Sequence, residues 1–394
     1  MNTNRSFDIV LFGATGFTGE LTAQYLAKHA PKNLRWALAG RNQEKLTALR
    51  QKLAEINPAT KDLPILFADT NQPESLKTLA HSTRVLITTA GPFMNYNGDA
   101  MVGACAQAGT HYCDITGEPE FKDRSWLNWH ETAKKTGAKI VHSCGVDSIP
   151  HDLGVFFTLK HLPKNVPIRI EGIVGGDARP SAGTMHTVVS AMSRLVPLSI
   201  AHLKRHAKDK KASNRKVGGT LPLLRYSRSL NSWVMPFPTI DQQHIKHSAN
   251  ALEVYGPDFK YGHFIEINKF STVAKIIGGL SSVIALAQLP VTRRLLLSKI
   301  EQSEQGPSDE VREKSWFRVL FTAKAGGKTV VTEVRGGDPG YDETAKMLAE
   351  SAMCLAFDDL PSGGGQLTTA VAMGDQLLER LQRAGLQFNL VSNS

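Results

Sequence analysis

The stretch that decides the fold is Gly13-Ala14-Thr15-Gly16-Phe17-Thr18-Gly19, between an apolar run over 7–12 and a helical pattern. In such a turn one glycine permits the tight bend, a second lets the backbone approach a pyrophosphate, and a third lets the helix pack close to the strand. Free N–H groups at the start of the helix then favour a phosphate. The spacing is G-x-x-G-x-x-G rather than G-x-G-x-x-G, so we interpret the loop as a variant dinucleotide-binding turn. A glycine turn without a ligand is the alternative.

Strand and helix patterns alternate through the first 150 residues around this loop. Apolar runs predict strands over 7–12, 35–39, 64–68, 85–87, 111–115 and 139–143. Helical patterns lie between them, including one after Asn42 whose apolar residues fall on one face. The alternation predicts an α/β fold with a Rossmann-type, doubly wound parallel sheet. After Gly154 the rhythm changes, which indicates a second domain.

Arg41 follows the second predicted strand, where NAD-binding sites usually place a carboxylate for the ribose 2′-OH. A guanidinium suits a 2′-phosphate instead, because its planar fork makes charge-assisted, bidentate contacts. The sequence therefore favours NADP as the cofactor, although a solvent-facing arginine is the alternative. Asp69, after the third strand, is a candidate for the adenine edge and equally a candidate cap for the helix near Pro73.

Thr89-Ala90-Gly91-Pro92-Phe93 follows the fourth predicted strand. Ligands of open α/β sheets lie outside the carboxyl ends of the strands, so we expect this loop beside the nicotinamide half of the cofactor. An ordinary turn at the end of a strand is the alternative. The predicted cofactor-binding residues are Gly13, Thr15, Gly16, Phe17, Thr18, Gly19, Arg41, Asp69, Ala90, Gly91 and Pro92.

The composition excludes several classes of protein. The chain has 394 residues, of which 41% are hydrophobic and 21% charged, and this rules out disordered, collagen-like and polytopic membrane proteins. A formal charge of +10 suggests an anionic partner. The four cysteines form no CxxC pair and no zinc spacing, and the N-terminus has no apolar signal sequence. We therefore expect a cytoplasmic protein.

Several short motifs together resemble the saccharopine dehydrogenase-like oxidoreductases, most closely the subgroup that contains the trans-acting enoyl reductases of bacterial glycolipid synthesis. The resemblance covers both ends of the chain, and the middle, about 200–315, carries little of it. Its motifs are Gly13–Gly19, 39–41, 91–93, 109–112, 114–118, 144–150, 336–341 and 344–347.

The resemblance implies a function and a domain organisation. It implies an NADP-binding Rossmann domain over 1–150, completed by C-terminal helices over 340–394, and an inserted second α/β domain over 151–339 that holds the substrate. It also implies hydride transfer. The glycine loop is more similar to that of the enoyl reductase subgroup than to that of the amino-acid enzymes of the family.

Hydride addition to an enoyl thioester or an imine requires a proton at a neighbouring atom. Polar residues follow the fifth and sixth predicted strands, and among them Glu118 and Asp147 are our candidate catalytic groups. Asp147 is equally a candidate for an Asx-turn or a helix cap before Ile149-Pro150. We interpret Cys144 as a core residue. His142 and His186 have no ligand spacing, so the sequence predicts no metal.

Two segments outside the predicted dinucleotide-binding domain could contact a partner. Residues 202–216 carry seven basic residues and one aspartate, and are either a solvated loop or a docking surface for an anionic membrane or an acyl-carrier domain. Residues 276–292 hold no charge and, with 293–297, are a buried helix, an interfacial segment or an acyl-chain contact. Their 17 residues are at the lower limit for a membrane-spanning helix, and the glycines, Gln288 and Pro290 among them count against one. The charges are not interleaved with aromatic residues, so we predict no nucleic-acid partner. A homodimer is possible, and the sequence does not decide the oligomeric state.

Three functions are compatible with these observations. The first is an NADPH-dependent reductase of a lipid-like or thioester-bound substrate, with a small-molecule or acyl-type substrate reduced as an enoyl group. The second is a saccharopine-type C–N oxidoreductase, which needs arginines to hold the carboxylates of its substrate. The third is a membrane-associated protein that binds NADP without turnover.

Overall fold

The computed structural model describes residues 5–177, 181–209, 215–301 and 306–394. The chain divides into two compact units. The first unit comprises Met1–Val146, Ser199–Arg205 and Gly340–Leu381, and the second comprises Asp147–Leu198, His206–Pro339 and Gln382–Ser394.

The elements follow one another in three groups along the chain. The first group is β1 (Phe7–Phe12), α1 (Phe17–His29), β2 (Trp36–Gly40), α2 (Gln43–Ile56), β3 (Ile65–Phe67), α3 (Pro73–Ser82), β4 (Thr83–Thr88), α4 (Gly98–Ala108), β5 (His111–Asp114), α5 (Pro119–Thr136) and β6 (Lys139–Val141). The second is α6 (Ile149–Leu159), β7 (Ile168–Asp177), α7 (Ala182–Ser193), α8 (Leu195–Lys208), β8 (Lys216–Gly219), β9 (Arg225–Ser227), β10 (Ser232–Pro236), α9 (Asp241–Ala251), β11 (Asp258–Ile267), α10 (Phe270–Gln288), α11 (Pro290–Glu301), α12 (Asp309–Lys314), β12 (Trp316–Ala325) and β13 (Lys328–Gly336). The third is α13 (Asp342–Phe357), β14 (Gly365–Leu367), α14 (Thr369–Ala372), α15 (Gly374–Arg383) and β15 (Gln387–Asn393).

The first unit is built on a seven-stranded sheet in the order β14-β6-β5-β4-β1-β2-β3. Every pairing in it is parallel, and residues such as Val10 and Leu86 in its central strands are fully buried. From β1 the chain runs to β2 and β3 on one side and then returns to β4 on the other. The predicted Rossmann-type, doubly wound parallel sheet is therefore confirmed, and its topological switch point lies between β1 and β4.

Local sequence explains where α2, a helix near this switch point, begins and which face it buries. Asn42 caps α2 by accepting a hydrogen bond from the Lys45 backbone N–H at 2.9 Å. The buried residues of α2 are Leu46, Leu49 and Leu53, which lie on one helical face. The cap fixes the start of α2 directly after Arg41, so that arginine lies at the exit of β2.

The second unit is built on an eight-stranded mixed sheet in the order β15-β13-β12-β7-β11-β10-β9, with β8 paired to β11. The pairings of β11 with β7 and β8 are parallel, and the others are antiparallel. The hairpin of β12 and β13 turns at Gly326 and Gly327, which both have positive φ. A second domain is thus present, with a mixed sheet.

The C-terminal residues depart from the predicted organisation. We expect 340–394 to complete the first domain with helices, but β15 is a strand that pairs antiparallel with β13 in the second sheet. Phe388 explains this placement, because its ring is buried 5.8 Å from the ring of Phe157. Residues 199–205, which the prediction assigns to the substrate domain, belong to the first unit.

The basic segment 202–216 is not simply a solvated loop. Its residues up to 208 continue α8, and its residues 210–214 lie outside the described part of the chain. Arg205 is buried and pairs with Asp123 at 2.9 Å, while its guanidinium lies over the ring of Trp126. Arg215 donates to the backbone carbonyls of Asn250 and Leu252. The structure therefore uses both arginines of this segment internally.

Helix α10 is apolar but largely exposed. It has the length and composition of a helix that could cross a membrane, and 11% of the residues in its most apolar stretch are buried. Val273 and Ala287 are its buried residues. The interpretation of 276–292 as a buried helix is therefore wrong, and an apolar surface is exposed instead.

Candidate functional site

The glycine loop is shaped by close backbone packing at two of its three glycines. Gly13 has a φ of +82°, and a Cβ there would lie 2.9 Å from the Ala90 nitrogen. A Cβ at Gly19 would lie 2.3 Å from the Gly13 carbonyl oxygen. A Cβ at Gly16 would meet only that oxygen, at 3.6 Å. Gly13 and Gly19 are therefore required by the turn, while Gly16 leaves open space.

The start of α1 offers backbone N–H groups to a ligand. Gly16 occupies the N-cap position, and no side chain caps this end of the helix. Thr15 is exposed, and the Thr18 carbonyl accepts a hydrogen bond from Thr22 Oγ1 at 2.7 Å. The ring of Phe17 packs edge-on against Tyr341 at 4.7 Å, which holds the loop against the start of α13. This end of α1 is a site at which an anion is favoured.

Arg41 is exposed and makes no hydrogen bond or ion pair with any residue in the described part of the chain. It lies at the carboxyl end of β2, where the 2′-position of the adenosine ribose is recognised in Rossmann folds. Asp69 Oδ1 accepts from the Asn71 backbone N–H at 2.9 Å, and the Asp69 backbone N–H donates to Ser75 Oγ of α3 at 3.0 Å. The N-cap of α3 is Gln72 rather than Asp69. The structure thus leaves Arg41 available and uses one oxygen of Asp69 in a turn.

The loop after β4 is fastened to both the glycine loop and Glu118. Thr89 Oγ1 donates to the Gly13 carbonyl at 3.0 Å, and Ala90 and Gly91 follow it, with a cis peptide between Gly91 and Pro92. Glu118 Oε1 accepts from the Phe93 N–H at 2.7 Å, and Oε2 accepts from the Met94 N–H at 3.1 Å.

Both oxygens of Glu118 are therefore engaged by backbone. Burial raises the pKa of this carboxyl, while the two backbone hydrogen bonds act in the opposite direction. The geometry gives Glu118 the role of holding the loop after β4. The sequence presents it as a candidate proton donor because it follows a strand, and that pattern does not show where its oxygens bind.

Asp114, at the end of β5, organises a second buried network in the first unit. Its Oδ1 accepts from the N–H groups of Thr116 and Ser143 at 3.0 Å, and its Oδ2 bonds the Tyr112 hydroxyl at 2.9 Å and His142 Nδ1 at 2.7 Å. These four contacts satisfy the carboxylate, which ties the ends of β5 and β6 together. Cys144 is fully buried, in agreement with its interpretation as a core residue.

Asp147 belongs to the second unit and takes part in a different cluster. Burial raises the pKa of its carboxyl to about 6, and the negative charge of Asp241 adds to this effect while His151 opposes it. His151, Asp241 and His263 offer ligand atoms that all lie within 4.8 Å of one another. The three side chains come from α6, α9 and β11.

The electrostatics of this cluster follow from its burial. Burial, and secondarily the charge of His151, lower the pKa of His263 to about 3. Burial alone would raise the pKa of Asp241, but His151, His263 and a hydrogen bond from Thr239 outweigh it and lower the pKa. Sequence reasoning missed this cluster because its members lie 90 and 22 positions apart along the chain, and only the fold brings them together.

A pocket in the second unit reaches this cluster at His263. Its volume is about 380 Å³, which is in the range of small-molecule sites. None of its lining residues is an arginine or a lysine, among the residues that the structure describes. The lining residues are Thr220, Pro222, Pro236, Pro238, Gln242, Tyr261, Gly262, His263 and Phe264.

Three features of the first unit match the groups of NADP. The space at Gly16, the uncapped start of α1 and the free Arg41 guanidinium supply a close approach, N–H donors and a cation. These are the groups that a pyrophosphate and a 2′-phosphate require. Residues 9–141 match the family of the saccharopine dehydrogenase NADP-binding domain.

Comparisons of the whole chain extend this assignment. A trans-acting enoyl reductase of Mycobacterium tuberculosis is 34% identical, over 97% of this chain and 97% of that protein. A trans-acting enoyl reductase of Mycobacterium ulcerans is also 34% identical, over 98% of each. The chain belongs to the saccharopine dehydrogenase-like oxidoreductases.

This member of the saccharopine dehydrogenase-like oxidoreductases is an NADP-dependent enzyme, and the predicted cofactor is confirmed. The apo saccharopine dehydrogenase (L-Glu forming) of Saccharomyces cerevisiae has the same fold, with a TM-score of 0.54. It is 13% identical, and the match covers 98% of this chain and 100% of that one. That likeness concerns the fold alone.

Proposed function

We propose that this oxidoreductase reduces the C=C bond of an α,β-unsaturated acyl thioester that a synthase supplies. The observation that carries the proposal is the similarity to trans-acting enoyl reductases, which extends over nearly the full length of both chains. NADPH, when bound, supplies the hydride. The reaction then adds that hydride to the carbon β to the thioester carbonyl and a proton to the α-carbon, leaving a saturated thioester and NADP⁺.

The pocket of the second unit supports an acyl rather than an amino-acid substrate. A saccharopine-type substrate carries several carboxylates, and these need cationic side chains to bind. The lining instead combines prolines and Phe264 with the neutral polar groups of Thr220, Gln242 and Tyr261. An apolar wall with a few hydrogen-bonding groups matches a thioester on an acyl chain.

Different residues of the chain bind the cofactor and transfer the proton. Gly13–Gly19 and Arg41 bind the phosphates, and Ala90, Gly91 and Pro92 form the loop that Glu118 holds in place. Asp69 stays a candidate for the adenine edge. Asp147, half-buried in the second unit and under the influence of the charges of Asp241 and His151, is our candidate for moving the proton to the substrate.

The test is a comparison of substrates with the purified enzyme. NADPH oxidation should occur with trans-2-enoyl thioesters of coenzyme A or phosphopantetheine, and faster with longer acyl chains. Saccharopine with NADP⁺, and a 2-oxo acid with an amino acid and NADPH, should give no turnover. Turnover with the amino-acid pair and none with any enoyl thioester would reject the proposal.

We further propose that α10 and α11 bring the enzyme to an anionic membrane surface. Residues 268–300 contain five basic residues and no acidic one. Large apolar side chains are exposed among them, with Leu289 at 59% and Val291 at 71% of their surface. A basic, apolar surface is the kind that binds anionic lipid.

The membrane proposal is tested by sedimentation with vesicles. The enzyme should bind vesicles that contain phosphatidylglycerol, and added salt should weaken binding. The double substitution Leu289→Gln with Val291→Gln should abolish vesicle binding, whereas Leu221→Gln, at a leucine elsewhere that is 76% exposed, should not. Binding to an acyl-carrier domain but not to vesicles would replace the membrane with the carrier as the partner.

A further inference from the structure

The cluster of His151, Asp241 and His263 has the composition of a metal site. Their side chains are buried, with 3%, 1% and 3% of their surface exposed. Each comes from a different element, and the ligand atoms converge within 4.8 Å of one another. Two imidazoles and one carboxylate form a recurrent protein ligand set for Zn²⁺ in catalytic sites.

The distances within the cluster suit a shared cation better than direct hydrogen bonds. Asp241 Oδ2 lies 3.7 Å from His263 Nε2, which is too long for a hydrogen bond. Asp241 Oδ1 lies 3.2 Å from His151 Nδ1, which is close enough for an ion pair, but the two atoms do not have the geometry of a hydrogen bond. Two ligands bound to one Zn²⁺ at about 2.1 Å in tetrahedral geometry are about 3.4 Å apart. The two observed separations, 3.2 Å and 3.7 Å, lie on either side of that ligand–ligand distance.

Two buried atoms of the cluster lack hydrogen-bond partners among the described residues. They are Asp241 Oδ1 and His263 Nε2. Leaving such atoms unsatisfied in an interior is costly, so a buried carboxylate oxygen and a buried ring nitrogen in one cluster point to a ligand that binds both side chains. A cation satisfies both atoms at once.

Neighbouring side chains orient the ligands as they do around known metal sites. The Tyr261 hydroxyl bonds His263 Nδ1 at 2.9 Å, which turns Nε2 toward Asp241. Thr239 donates a hydrogen bond to Asp241 Oδ2. Such outer contacts fix the tautomer and the orientation of a ligand.

The pocket supplies the remaining coordination position. His263 and Tyr261 both belong to its wall. We infer that His151, Asp241 and His263 bind one Zn²⁺ ion, with a fourth position open to this pocket for water or a substrate oxygen. Calcium and magnesium prefer all-oxygen ligands, so the two imidazoles exclude them. A zinc ion there would polarise a carbonyl oxygen bound in the pocket.

Metal content tests the inference without any turnover, so its failure leaves the proposed reductase unaffected. The protein is purified without chelators or metal-affinity resin, and its metals are measured by mass spectrometry. We expect about one zinc per chain, and below about 0.2 in His263→Gln and Asp241→Asn. His244→Gln, at a buried histidine on the same helix α9 as Asp241, should retain zinc.

A second measurement keeps the inference testable if zinc is lost during purification or if the variants do not fold. Chelator-treated wild-type protein should bind Zn²⁺ at one site by calorimetry, should melt at a higher temperature with Zn²⁺, and should give the visible absorption of tetrahedral Co²⁺. No zinc after purification together with no binding of added Zn²⁺ would overturn the site. Zn²⁺ binding that is unchanged in His263→Gln and Asp241→Asn would also overturn the site. A different metal, present at one per chain, would overturn the assignment of zinc.

Discussion

Arg41 is the residue on which cofactor selectivity depends. Arg41 is exposed at the end of β2 and makes no hydrogen bond or ion pair with any residue that the structure describes. We predict that Arg41→Ala weakens NADPH binding by roughly tenfold to a hundredfold, because a charge-assisted contact contributes about 1.5–3 kcal/mol. NADH binding should not change. Fluorescence titration with both nucleotides measures the two affinities.

The control for this prediction is Lys45→Ala, which removes an exposed positive charge one turn further along α2. It should leave the ratio of the two affinities near that of the wild type. An unchanged ratio in Arg41→Ala would show that the 2′-phosphate is held elsewhere.

Asp8 links pH to the stability of the first unit. Burial alone would raise the pKa of its carboxyl, but hydrogen bonds and charge from Arg35, with the charge of Arg84, outweigh burial and lower it. The closest contact joins Asp8 Oδ1 to Arg35 Nη2 at 2.8 Å. Because the folded-state pKa lies below the ordinary value of 3.8, this pair stabilises the fold above that pH.

We predict that Asp8→Asn lowers the free energy of unfolding by about 1 kcal/mol at neutral pH, a small value since Arg35 is half exposed. The difference from wild type should shrink as the pH falls through 3.8 toward the lower folded-state pKa, where both proteins carry a neutral side chain. Urea denaturation over a pH series measures it. A difference that grows on acidification would contradict the assignment.

At the scale of elements, Glu118 joins the start of α5 to the loop after β4. Because two backbone N–H groups lose their acceptors, Glu118→Ala should destabilise the protein by about 1–3 kcal/mol. Urea denaturation measures the loss. Glu131→Ala, at an exposed glutamate on α5, should have little effect. Unchanged stability with abolished turnover would return a chemical role to Glu118.

β15 is the element that attaches the C-terminus to the second sheet. Phe388→Ala should cost about 3 kcal/mol or more in unfolding free energy, since this buried ring packs near Phe157. Leu390→Ala on the same strand should cost about 0.5 kcal/mol or less, because Leu390 is 45% exposed. Equal losses, measured by thermal or urea unfolding, would contradict the structural role of this strand.

At the scale of the whole molecule, the sequence predicts the features that depend on residues close together in the chain. The glycine loop, the α2 cap at Asn42 and the parallel sheet all follow from patterns a few residues long, and the fold and cofactor are confirmed. β15 is missed because a short strand at the chain end has weak alternation and pairs with a strand more than 50 residues earlier. The cluster at His263 is missed because no local spacing connects its residues, and only tertiary packing brings them together.

The central claim, that the enzyme transfers hydride from NADPH to an enoyl thioester, is tested most directly by isotope transfer. The enzyme is incubated with a trans-2-enoyl thioester and with NADPH that carries deuterium at both hydrogen positions of nicotinamide C4. We predict a saturated thioester with one deuterium at the β-carbon, seen by mass spectrometry and NMR. Recovery of the unsaturated thioester unchanged, under conditions in which NADPH binds, would contradict the account.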